Sequence, residues 1–355
     1  MSFEKKSSQI MDPSHDMHDD FDYSHHLQMV LSQLNGDEPA YPMDVGDVVL
    51  DDVHFPKPAD MAAMADAEDI GPPPTTNEII EDILENVDNY PKTLQILMLR
   101  GLLKKKQQCK KCEKPMHLRR RKCSYEWRCR TKDKKGDCSS CSIKSGSWFE
   151  NTKLSFKIIF NVLVMHCKNY SSGHMSSILK LSTHSINEAR RMVHELTDRI
   201  ASRYPRIGEK TKDVYLEIIT IKGKNDVYKV LAGQEIGTNH CFAAVLNDCS
   251  AALIERIKTV NVDPQAKVTM VKTVKDDDPD FASVAAIFFD EKKYYVHARD
   301  QFFCNLRENP EEHFLSTRVT LQSWLNDQVV RKTEGIKMME KCVEELKTFT
   351  SKTSR

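Results

Sequence analysis

No run in the 355-residue chain approaches the ~18 consecutive apolar residues of a membrane-spanning helix. Met1 to Lys6 carry charge with no apolar stretch behind them, so no secretory leader is expected. A glycine-rich phosphate loop is missing, since Gly223 and Gly233 stand alone. No spacing of Ser, His and Cys suggests a nucleophile elbow, and no internal repeat is found. Net charge is lacking too, with 52 Lys+Arg against 52 Asp+Glu. Together these absences argue against a membrane protein, a nucleotide-loop enzyme and a serine or cysteine hydrolase.

The neutral total hides segregation. Residues 1–90 hold 21 acids and 3 bases, whereas residues 91–150 hold 18 bases and 5 acids. Such asymmetry suggests an acidic tail beside a module that binds a polyanion. Residues 1–74 show no sustained periodicity, are rich in Asp, His, Met and Pro, and end in Gly71-Pro72-Pro73-Pro74. They are expected to be an acidic disordered tail that recruits nuclear protein partners or shields the basic module from non-specific DNA. Its histidines at 15, 18, 25 and 26 suit weak metal binding, with a solvated tail as the plainer alternative.

Residues 75–107 read as a short helical segment. Ile79, Ile80, Ile83, Leu84 and Val87 recur at helical spacing up to Pro91, and a second helix runs from Leu94 to Leu103. Cysteine then concentrates: six of the eleven fall between Cys109 and Cys141. Cys109 and Cys112 form a Cys-x-x-Cys pair, sixteen residues precede Cys129, and eight more precede Cys138. Two thiolate pairs brought together by a hairpin make a closed structural zinc site, because soft thiolates suit Zn2+ and the ion supplies folding energy a small ribbon lacks. Cys141 is the alternative fourth ligand, and Cys123 fits less well. Residues 108–150 are therefore expected to be a zinc-ribbon module.

Around these cysteines stand Arg119, Arg120, Arg121, Lys122, Arg128 and Arg130, interleaved with Tyr125 and Trp127. Basic groups release counterions from phosphates, and aromatics stack on exposed bases, so this surface is expected to bind nucleic acid. Arg119 to Lys122 also suit a nuclear-import signal; a solvated charged face is the bland alternative. Residues 151–206 look helical, with a helix-turn-helix over 174–203. Leu181 to His184 would be the turn, and Ser185 with Glu188 a capping box opening the second helix. Asn187, Arg190, Arg191 and His194 would then face double-stranded DNA. A plain helical hairpin gives nearly the same pattern.

The run Trp127-Arg128-Cys129-Arg130, then Ser142-Ile143-Lys144-Ser145-Gly146-Ser147-Trp148-Phe149-Glu150 and Lys153-Leu154-Ser155, resembles the zinc-ribbon segment of Merlin-type (ISXO2-like, IS1595-like) transposases. The likeness covers about residues 90–330 and loosens beyond 210. It implies a mixed α+β chain: a zinc ribbon and helix-turn-helix, then a ribonuclease-H-like α/β domain over 211–330. It also implies three carboxylates holding two divalent metals. Here Ile219 and Gln322 stand at the first and third of those positions, and Val271 is nearest the second. The resemblance thus implies a nuclear DNA-binding protein that has lost strand transfer, not an enzyme. A displaced triad of Glu217, Asp276 and Glu312 is the alternative, and a protein-interaction factor without DNA binding another. Residues 331–355 should form a C-terminal helix and basic tail, packed on the sheet or pairing two copies into a homodimer.

Overall fold

The computed structural model describes residues 75–121, 124–130, 132–133, 136–138, 140–209, 212–223, 226–270, 301–307, 310 and 312–352. The acidic tail, Lys122, Cys123, Val271 and Asp276 lie outside the described residues. No described helix is long and apolar enough to cross a membrane.

The chain is mixed α+β. Helix α1 (Thr76–Asn86) opens with a capping box in which Thr75 and Glu78 satisfy each other's backbone N–H. Pro91 does not terminate this helix. It sits in the first turn of α2 (Tyr90–Leu99), where its missing N–H costs nothing. Strands β1 (His117–Arg120) and β2 (Tyr125–Arg128) form the expected hairpin. Two-residue strands β3 (Lys132–Asp133) and β4 (Gly136–Asp137) pair next, and β5 (Ser140–Ser142) returns against β2. Helices α3 (Phe156–Cys167), α4 (Ser172–Leu179) and α5 (Thr183–Ala201) follow.

A four-stranded sheet occupies the middle of the chain. Strands β6 (Asp213–Lys222), β7 (Val227–Glu235) and β8 (Cys241–Leu246) run antiparallel in sequence. Helix α6 (Ala251–Asn261) then carries the chain over to β9 (Lys267–Met270), which lies parallel to β6. The order across the sheet is β8-β7-β6-β9. Alternation along β6 sends Val214, Leu216 and Ile218 to the α6 side, and Ile219 and Ile221 to the opposite core. That opposite core is closed by α7 (Gln301–Arg307) and α8 (Arg318–Glu334). Gly233 in β7 is required by close approach: a Cβ there would strike the Phe242 ring and Leu216.

The C-terminal helix departs from expectation. Gly335, at φ 55°, ends α8, and one 3-10 turn leads into α9 (Met338–Lys352). This helix does not pack on the sheet. Met338, Met339, Cys342, Val343 and Leu346 join the core built from α1, α2, α3, α5 and the ribbon. Arg203 on the α5 side donates to the buried Glu345, with Nη2 to Oε1 at 2.8 Å, and Arg199 lies 3.8 Å from the Phe349 ring centre. Ile336, in the 3-10 turn that follows Gly335, is 96% exposed.

Candidate metal centre and nucleic-acid interface

Backbone hydrogen bonds shape a tight turn around the first cysteine pair. The Cys109 N–H donates to Lys114 O at 2.9 Å, and the Glu113 N–H donates to Cys109 O at 2.8 Å. Glu113 takes φ 58°, which bends the chain so that both thiols face the same way. Cys129 follows directly on β2, and the β3–β4 hairpin returns the chain so that Cys138 meets it. The sulfurs of Cys109, Cys112, Cys129 and Cys138 all lie within 4.8 Å of one another, with Cys112 and Cys129 3.5 Å apart. A tetrahedral Zn2+ with ~2.3 Å bonds places sulfurs about 3.8 Å apart, so the donor set fits. Burial first, and then the thiols of Cys112, Cys129 and Cys109, push the Cys138 thiol up to about 12. A cation relieves that crowding by taking all four as thiolates. Cys141 is left outside the four: it sits on β5 opposite Trp127.

The basic surface is placed differently from the aromatics. Arg119, Arg120 and Arg121 are exposed, and Arg119 and Arg121 converge on the buried Glu126, Arg121 Nε at 2.7 Å. Arg130 is exposed and Arg128 half-buried. Tyr125 and Trp127 are buried instead, at 2% and 5% exposure. Their faces pack into the ribbon–helix core and are not offered to a base, which corrects the stacking role expected of Trp127. Residues two apart on β2 share one face, and that face is covered by the helices of the same core.

Glu150 organises the Gly-Ser-Trp-Phe join. Its carboxylate accepts from Ser145 Oγ at 2.9 Å and from the Gly146 N–H at 3.0 Å. The Gly146 N–H first, and Ser145 besides, hold its pKa below the usual carboxylate range. Trp148 and Phe149 are buried behind this turn, Phe149 edge-on to Phe156 at 5.0 Å.

Helices α4 and α5 meet at a sharp turn with Lys180 in the left-handed region. Helix α5 begins three residues earlier than expected. Ser182 is its N-cap and accepts from the Ser185 N–H, and Ser185 itself is buried. Sequence offers two overlapping Ser-x-x caps here, and packing of Ile186 and Ala189 against Val162 and Met175 selects the first. A second surface of α5 is covered as well, by Phe314 and α8. Arg191 is exposed and Asn187 half-buried, but Arg190 and His194 are buried at 7% and 3%. Arg190 donates to Ser172 Oγ and lies 5.6 Å from the Phe314 ring centre. Arg190 and His194 therefore do not face outward to DNA, a correction to the helix-turn-helix reading. A cavity of about 490 Å3 lies between α5 and the sheet body, walled by His184, Asn187, Arg191, His194, Phe314 and Ser323, among others.

Ile219 and Gln322 stand where the resemblance implies carboxylates, and each is engaged in packing or backbone hydrogen bonds. Ile219 is fully buried among Phe302, Phe303, Leu306 and Leu325. Gln322, on α8, lies along edge strand β8. Its Oε1 accepts from the Val245 N–H and its Nε2 donates to Ala243 O, both at 2.9 Å. Glu217 is 2% exposed and ion-paired with Arg307.

One cluster has no local sequence signal. His166 (α3), His194 (α5) and Asp327 (α8) come from three helices and meet in the interior, with His166 Nε2 2.8 Å from Asp327 Oδ1. Burial lowers His166, and lowers His194 to about 3. Burial alone would raise Asp327, but Arg331 and then His166 hold it well below the usual carboxylate range. Asp198 is a second unforeseen link, accepting from Ser323 Oγ and Asn326 Nδ2 at 2.7 Å and so tying α5 to α8.

No family model, no curated protein and no solved structure matches the chain.

Proposed function

We propose that this chain is a nuclear DNA-binding protein, derived from a Merlin-type transposase, that holds duplex DNA without cutting it. The observation that carries the reading is the four-cysteine centre whose hairpin presents Arg119, Arg120 and Arg121 on an exposed surface. Zn2+ there would be structural: Cys109, Cys112, Cys129 and Cys138 would hold it with no open position for chemistry. The charged strand then keeps a fixed shape, so phosphate contacts form at little ordering cost.

Support for a transposase ancestry comes from the sheet. Three antiparallel strands followed by a helix and a strand parallel to the first, in the order β8-β7-β6-β9, suit a ribonuclease-H-like body. Support for lost catalysis comes from its chemistry. Ile219 has no lone pair for a metal, and Gln322 uses its amide on strand β8. Glu217, the nearest acid, is paired with Arg307. Hard divalent cations need several carboxylate oxygens, and these side chains do not supply them.

The test compares the full chain with a variant carrying Arg119→Ala, Arg120→Ala and Arg121→Ala, each titrated onto labelled duplex DNA. Wild-type binding should weaken linearly in log–log form with salt, by about 0.9 in slope per phosphate contact. The variant should bind more weakly and with a shallower slope. Equal slopes for the two proteins would remove the ribbon from the interface.

A further inference from the structure

We propose that His166, His194 and Asp327 form a second metal site, for a divalent transition-metal ion of the kind that favours imidazole together with carboxylate. It is separate from the four-cysteine centre and does not depend on the DNA-binding reading. One nitrogen from each histidine and one Asp327 oxygen lie within 4.8 Å of one another, and the three residues are 0%, 3% and 2% exposed. Bonds of about 2.0–2.2 Å from imidazole and carboxylate to zinc set ligand atoms roughly 3.4 Å apart, inside that spread.

His194 supplies the independent observation. Among the described residues, neither of its ring nitrogens has a hydrogen-bond partner, although His194 is only 3% exposed. Buried imidazoles are normally satisfied, so two open nitrogens beside a histidine–aspartate pair point to an absent ligand. The ring is held edge-on between His166, 5.0 Å away, and Phe314, 4.8 Å away.

The outer shell also suits a metal. Arg331 Nε donates to Asp327 Oδ2 at 2.8 Å, leaving Oδ1 on the histidine side. The same guanidinium donates to the backbone oxygens of His166 and Cys167. It thus fixes the carboxylate relative to α3, as outer hydrogen bonds orient metal ligands elsewhere. The 490 Å3 cavity, with His194 in its wall, gives an ion a route inward. Thiolates are absent from the set, so a borderline cation such as Zn2+ is favoured over Cu+.

The experiment uses the full chain purified in Zn2+, dialysed free of loose ion and analysed for metal content. A parallel sample is loaded with Co2+ and read by its visible spectrum. Two equivalents are expected in the wild-type protein. His194→Phe, which keeps a ring between His166 and Phe314, and Asp327→Asn should each retain one, with the intense sulfur–cobalt bands intact. Those bands report that the ribbon is folded. One equivalent in the wild type, lost only on Cys112→Ser, would overturn the proposal. So would a second equivalent that survives His194→Phe, since it would then sit elsewhere, as on the histidines at 15, 18, 25 and 26.

Discussion

Gln322 does at one position what an acid could not. Its amide both donates and accepts, so it satisfies an N–H and a C=O of strand β8 at once. Gln322→Glu should therefore cost about 1–3 kcal/mol at neutral pH, because a carboxylate faces the Ala243 carbonyl and leaves it unpaired. Thermal unfolding followed across pH checks this, and the loss should shrink in acid, where a protonated carboxyl can donate again. Ile219 presents the same contrast in apolar form. Ile219→Asp buries a charge among Phe302, Phe303 and Leu306 and should unfold the sheet body, while Ile219→Ala should cost roughly 2–5 kcal/mol through the cavity left behind. Denaturant midpoints separate the two. The apolar identity of position 219 was legible in the chain. The partners of Gln322 were not, because they are backbone groups 77 and 79 residues away.

Individual elements were read well where a short-range signal set them. The strands of the larger sheet are of this kind, since β-branched runs between turn residues define them locally. Helix phase was harder. Arg190 and His194 lie inside because Phe314 and α8 cover their flank of α5 beside the apolar face, and tertiary packing alone decides that. Ser182→Ala should cost α5 about 1 kcal/mol, and Ser185→Ala should differ from it by perturbing a buried hydroxyl. The ribbon gives a sharper test. Cys138→Ser should release metal and unfold the hairpin, whereas Cys141→Ser should keep metal content unchanged. In the adjoining turn, Glu150→Gln should destabilise by no more than about 1 kcal/mol, since the carboxylate is largely solvated. Its pKa is depressed in the folded chain, so its contribution is present above the unfolded pKa and lost as pH falls through the folded one. Wild type and variant should therefore converge in acid, which melting curves between neutral and acidic pH will read.

At the scale of the whole molecule, the two ends of the described chain meet. Helix α9 packs with α1, α2 and the ribbon, so the segment following the sheet completes the core that precedes it. No periodicity announces this, because an amphipathic helix does not state which apolar surface it will cover. Deleting residues 338–355 should accordingly impair the ribbon–helix core, and DNA affinity with it, more than the sheet. The half-buried links among Asp198, Ser323 and Asn326, and the buried one between His166 and Asp327, join the same helices to the sheet body. On the proposed reading, the basic strand, the helices and the sheet body are thereby parts of one structure that would grip duplex DNA and leave its backbone intact. The most direct measurement incubates the full chain with labelled duplex and Mn2+ over a salt series, then resolves both complexes and strands. The expected result is a salt-sensitive complex containing unbroken DNA. Strand cleavage that disappears on Glu217→Gln, or no complex even at low salt, would contradict it.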